Sequence, residues 1–196
     1  MGEGQAAEGE LHGFPAVRAT WENAYRIGPL VRDHCRHRAD VRIEPVQSSD
    51  LSEVVAIERA SFAAPWSRVA FEAELEKPHA RFCLARSLSE DKAGPVVGYI
   101  CFWLVANEIQ IVNVAVHLAW RRRGIGTRLV RYALQRGYEA GANVAVLEVR
   151  RSNQAARALY ESVGFQAVRE RPGYYPEHNE PALVLEMNLD ARWREA

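Results

Sequence analysis

The chain has 196 residues, 48% of them hydrophobic, with 25 basic and 25 acidic side chains. That length suits one domain with a sizeable core, and the zero formal charge leaves no whole-protein field to draw it to nucleic acid or a membrane surface, so any anion site must be local. No apolar run approaches the roughly 18 residues of a spanning helix, and Cys35, Cys83 and Cys101 contain no CxxC pair, which argues against a disulfide frame and for a reducing compartment.

Residues 1–40 are rich in Gly and mixed charge, lack a sustained period, and are expected to form a flexible or loosely helical extension. The start is acidic, without the apolar region of a secretory signal, and Ala6 stands where a myristoylation motif needs Ser or Thr, so a cytoplasmic protein is expected. Asp33, His34, Cys35 and His37 have no second ligand pair at finger-like spacing, and no metal site is expected.

A regular pattern begins at Val41 and is expected to form one domain through residue 190, with 191–196 as a tail. Residues 41–46 alternate as a strand. Ser48, Ser49 and Asp50 offer caps for a helix to about Ser61, with Leu51, Val54, Val55 and Glu58 at helical spacing. Pro65 and Trp66 break it, and Ser67 caps a second helix ending near Pro78. Strands are expected over 81–86, 96–105 and 109–116, with turns at 91–95 and around Asn107. Cys83 and Cys101 fall in these apolar strands, where a buried thiol is expected. A helix follows from Gly124 to about Ala140, with Ile125, Leu129 and Ala133 on one face and Gly141 as its stop. Then come a strand over 143–149, a helix capped by Ser152 or Asn153 and stopped by Gly164, and strands over 165–170 and 182–189. This order predicts a mixed α/β sheet.

Two stretches carry chemistry. After the strand ending at Val116, the chain passes Arg121, Arg122 and Arg123 and opens a helix on Gly124, Ile125, Gly126 and Thr127. A helix N-terminus presents unpaired amides and partial positive charge, small residues let a phosphate approach them, and the arginines add charge. A nucleic-acid patch formed with Arg128 and Arg131 is the competing reading; zero net charge and the lack of a stacking-aromatic array weigh against it. The second stretch runs from Leu147, Glu148 and Val149 through Asn153 to Leu159, Tyr160 and Phe165. Val144, Val146 and Glu148 share one strand face under period-two alternation, so Glu148 is either a solvated strand-end acid or part of a cleft. Tyr160 is read from its helix as core packing or catalyst, and Asn153 as a cap that can also touch a ligand.

The run Arg121-x-x-Gly124-x-Gly126 resembles the [RQ]-x-x-G-x-[GA] signature of the GNAT acetyltransferases, and 147–165 is similar to their segment LEVRxSNxxAxxLYExxGF. Within that superfamily, Pro65-Trp66-Ser67 and Tyr174-Tyr175-Pro176 resemble the PWS and YYP motifs of the ribosomal-protein-alanine acetyltransferases. The resemblance covers about residues 41–190. It implies an acyl-CoA N-acyltransferase fold, with a mostly antiparallel central sheet splayed at the cofactor site and flanked by helices. It implies acetyl-CoA as cosubstrate, its pyrophosphate cradled by residues 121–127, its thioester arm held by Val114, Ala115 and Val116 on a bulged strand, and a further contact at Asn153. Glu148 would take a proton from the acceptor amine and Tyr160 would donate to the departing sulfur. Glu108 is an alternative base, since some members use the preceding strand. The acceptor implied is a protein N-terminus, the alanine of a ribosomal protein, against walls formed by Trp66, Tyr174 and Tyr175. The alternatives are a small amine or lysine acceptor, and a non-catalytic acyl-CoA-binding module. Neither direct nucleic-acid binding nor membrane association is expected; oligomeric state is open between monomer and weak dimer.

Overall fold

The computed structural model describes residues 40–88, 93–175 and 179–194. The extension over 1–39, with its Asp33–His37 cluster, Cys35, and Pro176 lie outside the described residues. In chain order the elements are β1 (Val41–Pro45), α1 (Leu51–Ser61), α2 (Arg68–Glu76), β2 (Ala80–Leu88), β3 (Ala93–Val105), β4 (Glu108–Val116), α3 (Ile125–Glu139), β5 (Val144–Arg150), α4 (Gln154–Val163), β6 (Gln166–Tyr175) and β7 (Glu180–Asn188).

The caps act where side-chain chemistry places them. Ser48–Asp50 forms a short 3-10 turn with a capping box between Gln47 and Asp50, and α1 follows directly. The Ser67 hydroxyl accepts the Ala70 amide at the start of α2, and Asn153 accepts the Ala156 amide at the start of α4. The turn expected at 91–95 is shorter than its Gly-Pro pair suggests, because Ala93–Pro95 already belong to β3.

The strands form one sheet in the order β1-β2-β3-β4-β5-β7-β6. Every neighbouring pair is antiparallel except β4 and β5, which are parallel and joined through α3. One face carries α1 and α2, through a cluster that includes Leu51, Val54, Ile57, Phe71, Phe82, Leu84 and Tyr99. The other carries α3, whose Ile125, Leu129, Val130, Ala133 and Leu134 pack with Ile109, Ile111, Leu147 and Val149. Covered on both faces, β2 and β3 read as near-continuous apolar runs, as burial requires.

The register breaks at one place that matters. Cys101 pairs with Asn113 and Phe102 with Ile111, so Val112 is an extra, unopposed residue in β4. A bulge of this kind inverts the alternation beyond it. Ile109 and Ile111 accordingly face α3, whereas Ala115 joins the α1–α2 cluster and Asn113 contacts α1. On its other edge, β4 pairs with β5 only as far as Ile111 with Leu147. Past that point the two parallel strands part.

Two segments differ from expectation. The edge strand β6 runs on to Tyr175 rather than stopping near residue 170, and it is exposed along nearly its whole length, so it lacks the apolar alternation that marks a strand. Residues 191–194 of the expected tail are ordered against the domain. Asp190 caps a short turn over Ala191–Trp193, and Trp193 is buried against the α3 side of the core.

Phe71 is fully buried, stacked on Phe82 at 5.4 Å and edge-on to Tyr99 at 5.6 Å. Phe71→Ala should therefore lower unfolding free energy by about 3–5 kcal/mol, read from urea denaturation; a loss under about 1 kcal/mol would contradict this packing.

Candidate active site

The gap between β4 and β5 is the geometric centre of the site. Val114 and Val116 sit on its β4 side, half-buried against the α3 core, and Ala115 is buried on the opposite face. The bulge expected from the family resemblance is present, one residue before Asn113.

Beyond Val116 the chain turns through Leu118–Trp120 into α3. Gly124 is the N-cap of α3, with φ of 77°, a left-handed conformation that suits glycine. The Arg128 amide makes the first bond of the helix, to the Gly124 carbonyl. The amides of Ile125, Gly126 and Thr127 therefore stand ahead of any helical acceptor, at the positive end of a 15-residue helix. This arrangement fits a diphosphate.

The arginines divide the work differently from expectation. Arg121 turns back into the protein: its Nε donates to the Val116 carbonyl at 3.0 Å and its Nη2 to Ser61 Oγ at 3.0 Å. It braces the turn against the end of α1. Arg122 takes a left-handed conformation at φ of 63°, and Arg123 lies over the Trp120 ring at 5.0 Å. Arg122 and Arg123 are both exposed. Gly126 also has a role other than expected. A Cβ there would meet the Leu159 Cδ1 atom of α4 at 2.8 Å, so the missing side chain also eases α3–α4 packing. Its amide still opens the helix.

Glu148 and Tyr160 belong to opposite faces of the sheet. In β5, Ala145, Leu147 and Val149 are buried toward α3, while Val144, Val146, Glu148 and Arg150 alternate onto the other, half-buried face. Glu148 is thus partly buried on the face away from α3. Arg171 of β6 donates Nη1 to Glu148 Oε1, and the same guanidinium lies 4.6 Å over the Tyr174 ring. A hydrogen bond to Glu148 is the first cause holding the Tyr174 hydroxyl above its ordinary pKa, followed by burial. Tyr174 and Tyr175 meet edge to face at 5.1 Å, and Arg150 covers Tyr175 at 3.7 Å while also pairing with Glu180 at 3.3 Å.

Tyr160 is buried on the α3 face, edge-on to Phe165 at 5.8 Å. Burial, and secondarily Tyr175, push its pKa well up, so it keeps its proton and is able to donate a hydrogen bond. Trp66 is half-buried on the α1–α2 loop, tilted on Phe71 at 5.4 Å. Glu108 lies on the Glu148 face, but it pairs with Val144, four residues before Glu148, which places it about 13 Å back along the strand. Gln110 donates to it at 2.6 Å. Cys83 and Cys101 are buried free thiols, and desolvation pushes Cys83 up to about 12 and raises Cys101 as well, so neither supplies a thiolate nucleophile.

The residues overlooked in the sequence are Arg171 and Glu58. Arg171 had no signal beyond its position three residues before Tyr174 on an exposed strand. Glu58 had one: an acid at a core position of an amphipathic helix, and it is 1% exposed.

The chain matches the Acetyltransferase (GNAT) family over residues 51–165, more than half its length. It belongs to the GNAT acetyltransferase family. Among curated relatives it is 32% identical to a putative [ribosomal protein bS18]-alanine N-acetyltransferase of Bacillus subtilis, over 76% of this chain and 95% of that one. It is 30% identical to the [ribosomal protein bS18]-alanine N-acetyltransferase of Escherichia coli, over 75% and 97%, and 37% identical to the N-alpha-acetyltransferase RimI of Mycobacterium tuberculosis, over 69% and 84%. Among solved structures, the E. coli ribosomal-protein-S18-alanine N-acetyltransferase superposes with a TM-score of 0.68 at 26% identity, covering 80% of this chain and 99% of that one. Arabidopsis thaliana NAA60 in complex with acetyl-CoA shares the fold, with a TM-score of 0.68 at 18% identity over 76% and 99%. Membership in this GNAT family makes the chain an acetyltransferase enzyme.

Two outcomes test the site. Glu148→Gln should lower kcat about 100-fold or more and Tyr160→Phe about 10- to 100-fold, with acetyl-CoA Kd unchanged by calorimetry; wild-type turnover in both would remove them from catalysis. Gly126→Trp should abolish acetyl-CoA binding by forcing α4 away from the mouth of α3; retained affinity would place the cofactor elsewhere.

Proposed function

We propose that this GNAT enzyme transfers an acetyl group from acetyl-CoA to the α-amino group of a protein N-terminus, with the N-terminal alanine of a ribosomal protein as acceptor. The observation that supports this reading is that β4 and β5 part beyond the Ile111–Leu147 pair, beside Glu148, while β4 leads on to the start of α3, whose first amides lack helical acceptors. The relatives named for alanine N-acetylation of bS18 supply the acceptor.

Acetyl-CoA supplies an acetyl group on a thioester, activated at its carbonyl carbon. The amides of residues 125–127 hold its diphosphate, with Arg122 and Arg123 near by and the Asn153 cap at the start of α4. The backbone of Val114–Val116 lines the gap for its arm, where fixed amides can polarise a carbonyl. On the α1–α2 face, Glu148 receives the acceptor amine. The Arg171 partner is about half exposed, and an ion pair so open to water is weak, so Arg171 can give way to the incoming α-amine. The neutral amine attacks the thioester carbonyl carbon and forms the C–N bond; Glu148 accepts, directly or through water, the one proton the nitrogen then loses, and the C–S bond breaks to release coenzyme A as its thiolate.

The acceptor class follows from proton availability. An α-amino group has a pKa of about 7.7–8.0 and lysine about 10.4, so about a tenth of N-termini are neutral at pH 7 against well under a thousandth of lysines. A carboxylate on a half-exposed face is a modest base, sufficient for the first and poor for the second. On the other face, Tyr160 hydrogen-bonds the departing sulfur. A free thiol has a pKa of about 8.5, far below the raised Tyr160, so the tyrosine stabilises a thiolate without giving up its proton. Trp66, Tyr174 and Tyr175 wall the acceptor side. Ribosomes and acetyl-CoA meet in the cytoplasm, which is the compartment this reading implies.

Two measurements test the proposal. In a mass-spectrometric screen of peptides differing in their first residue, Ala-starting peptides should outrun free lysine and small amines; preference for either of those would overturn the acceptor. The kcat/KM profile should rise through about pH 8 as the α-amino group loses its proton. Because Tyr160 stays protonated, no fall should follow up to about pH 10. A decline between those limits that vanishes in Tyr160→Phe would contradict the role given to Tyr160.

A further inference from the structure

Beneath the acceptor face lies a buried carboxylate that the chemistry above does not use. Glu58, near the C-terminal end of α1, is 1% exposed, and no cation is paired with it among the described residues. Its Oε1 accepts the Trp66 backbone amide at 2.8 Å and Asn113 Nδ2 at 3.3 Å. Its Oε2 accepts the hydroxyl of Tyr99, itself fully buried on β3, and Asn113 Oδ1 lies 3.2 Å from the same hydroxyl. Burying a carboxylate without a counter-charge is costly unless its oxygens are fully hydrogen-bonded. A purely structural position would be cheaper as an aliphatic residue, like Leu51, Val54, Val55 and Ile57 on the rest of this helix face.

The partners explain what the carboxylate joins. Asn113 is the first residue after the Val112 bulge, and only the bulge turns it toward α1. It leads directly into Val114–Val116 at the gap. Trp66 belongs to the loop Phe62–Ser67, most of whose residues are exposed, and the Trp66 amide is held by Glu58 alone among the described residues. One carboxyl group therefore ties the strand that lines the cofactor gap to the loop that walls the acceptor.

We propose that Glu58 is a positioning residue: together with Tyr99 and Asn113 it sets the height of the Trp66 loop over the gap, and so the fit of the acceptor's first residue. It touches neither substrate. This rests on the reading of the Trp66 loop as an acceptor wall. Since misplacement by about 1 Å is enough to cost an enzyme up to 100-fold, loosening the loop should weaken acceptor use while leaving the cofactor seat at α3 intact.

The test uses the full chain and three readouts. Steady-state kinetics with an Ala-starting peptide give the peptide KM, and calorimetry gives acetyl-CoA Kd. Hydrogen exchange of the Trp66 amide reports on the loop without reference to any acceptor. Glu58→Ala should raise peptide KM about tenfold, speed exchange at Trp66, and leave acetyl-CoA Kd and exchange in α3 unchanged. Tyr99→Phe, which removes a single hydroxyl and serves if Glu58→Ala fails to fold, should do the same by about threefold. Glu58→Gln keeps an oxygen for the Trp66 amide and should restore most of the peptide KM. Wild-type peptide KM and Trp66 exchange in a folded Tyr99→Phe and Glu58→Ala would overturn the proposal, as would a parallel loss of acetyl-CoA affinity. Failure of the wild-type chain to acetylate any N-terminal peptide would strike the acceptor reading instead, and Trp66 exchange would still decide whether Glu58 holds the loop.

Discussion

The structure depends on one unopposed residue in a strand. Val112 adds a step to β4 that β3 does not match, and three consequences follow from that step. The inward side chains of β4 change layers, so Ile109 and Ile111 serve the α3 core while Asn113 and Ala115 serve the α1–α2 side. The strand bends, and its parallel pairing with β5 stops at Ile111. The opening lies between residues whose neighbours are among the most deeply buried in the protein, so it is a cleft with fixed walls rather than a fraying edge. Bulges store this kind of local irregularity where a ladder must stop.

The opening lets two incompatible environments meet. Glu148 stands on a half-exposed face beside Arg171 and Tyr174, where a charged acid is well solvated and can exchange one cation for another. Tyr160 stands on the far face in the α3 core, where burial forbids ionisation. A direct transfer needs a proton acceptor near the amine and a lasting donor near the sulfur. The helix mouth at Gly124 supplies the third element, a set of backbone amides without helical acceptors, the arrangement that would suit an anion.

Much of this was legible in the sequence, for identifiable reasons. Ser67 and Asn153 precede apolar periodic runs, and each caps the helix its position announces. The alternation through Val144, Val146 and Glu148 correctly put them on one face. Gly124 and Gly126 marked the turn into α3, where Gly124 takes a left-handed conformation; the closeness of Leu159 to Gly126 is a tertiary contact invisible to local pattern. The same limit hid the inward brace made by Arg121, the partner of Glu148 on β6, and the burial of Trp193. β6 was undervalued because a sheet edge exposed on both sides carries no apolar period to read. Glu58 was visible as an acid on the apolar face of α1, but its meaning required knowing that the bulge turns Asn113 toward it.

The most direct measurement of the central claim is a crystal structure of the full chain with a bisubstrate analogue, coenzyme A joined through its acetyl carbon to the α-nitrogen of an Ala-starting peptide. The account predicts the diphosphate on the amides of residues 125–127, the linking carbon in the gap between Val114–Val116 and β5, the α-nitrogen facing Glu148 with Arg171 displaced, and the sulfur within hydrogen-bonding distance of the Tyr160 hydroxyl. A closed β4–β5 gap with the analogue bound elsewhere, or the α-nitrogen on the α3 face away from Glu148, would contradict it.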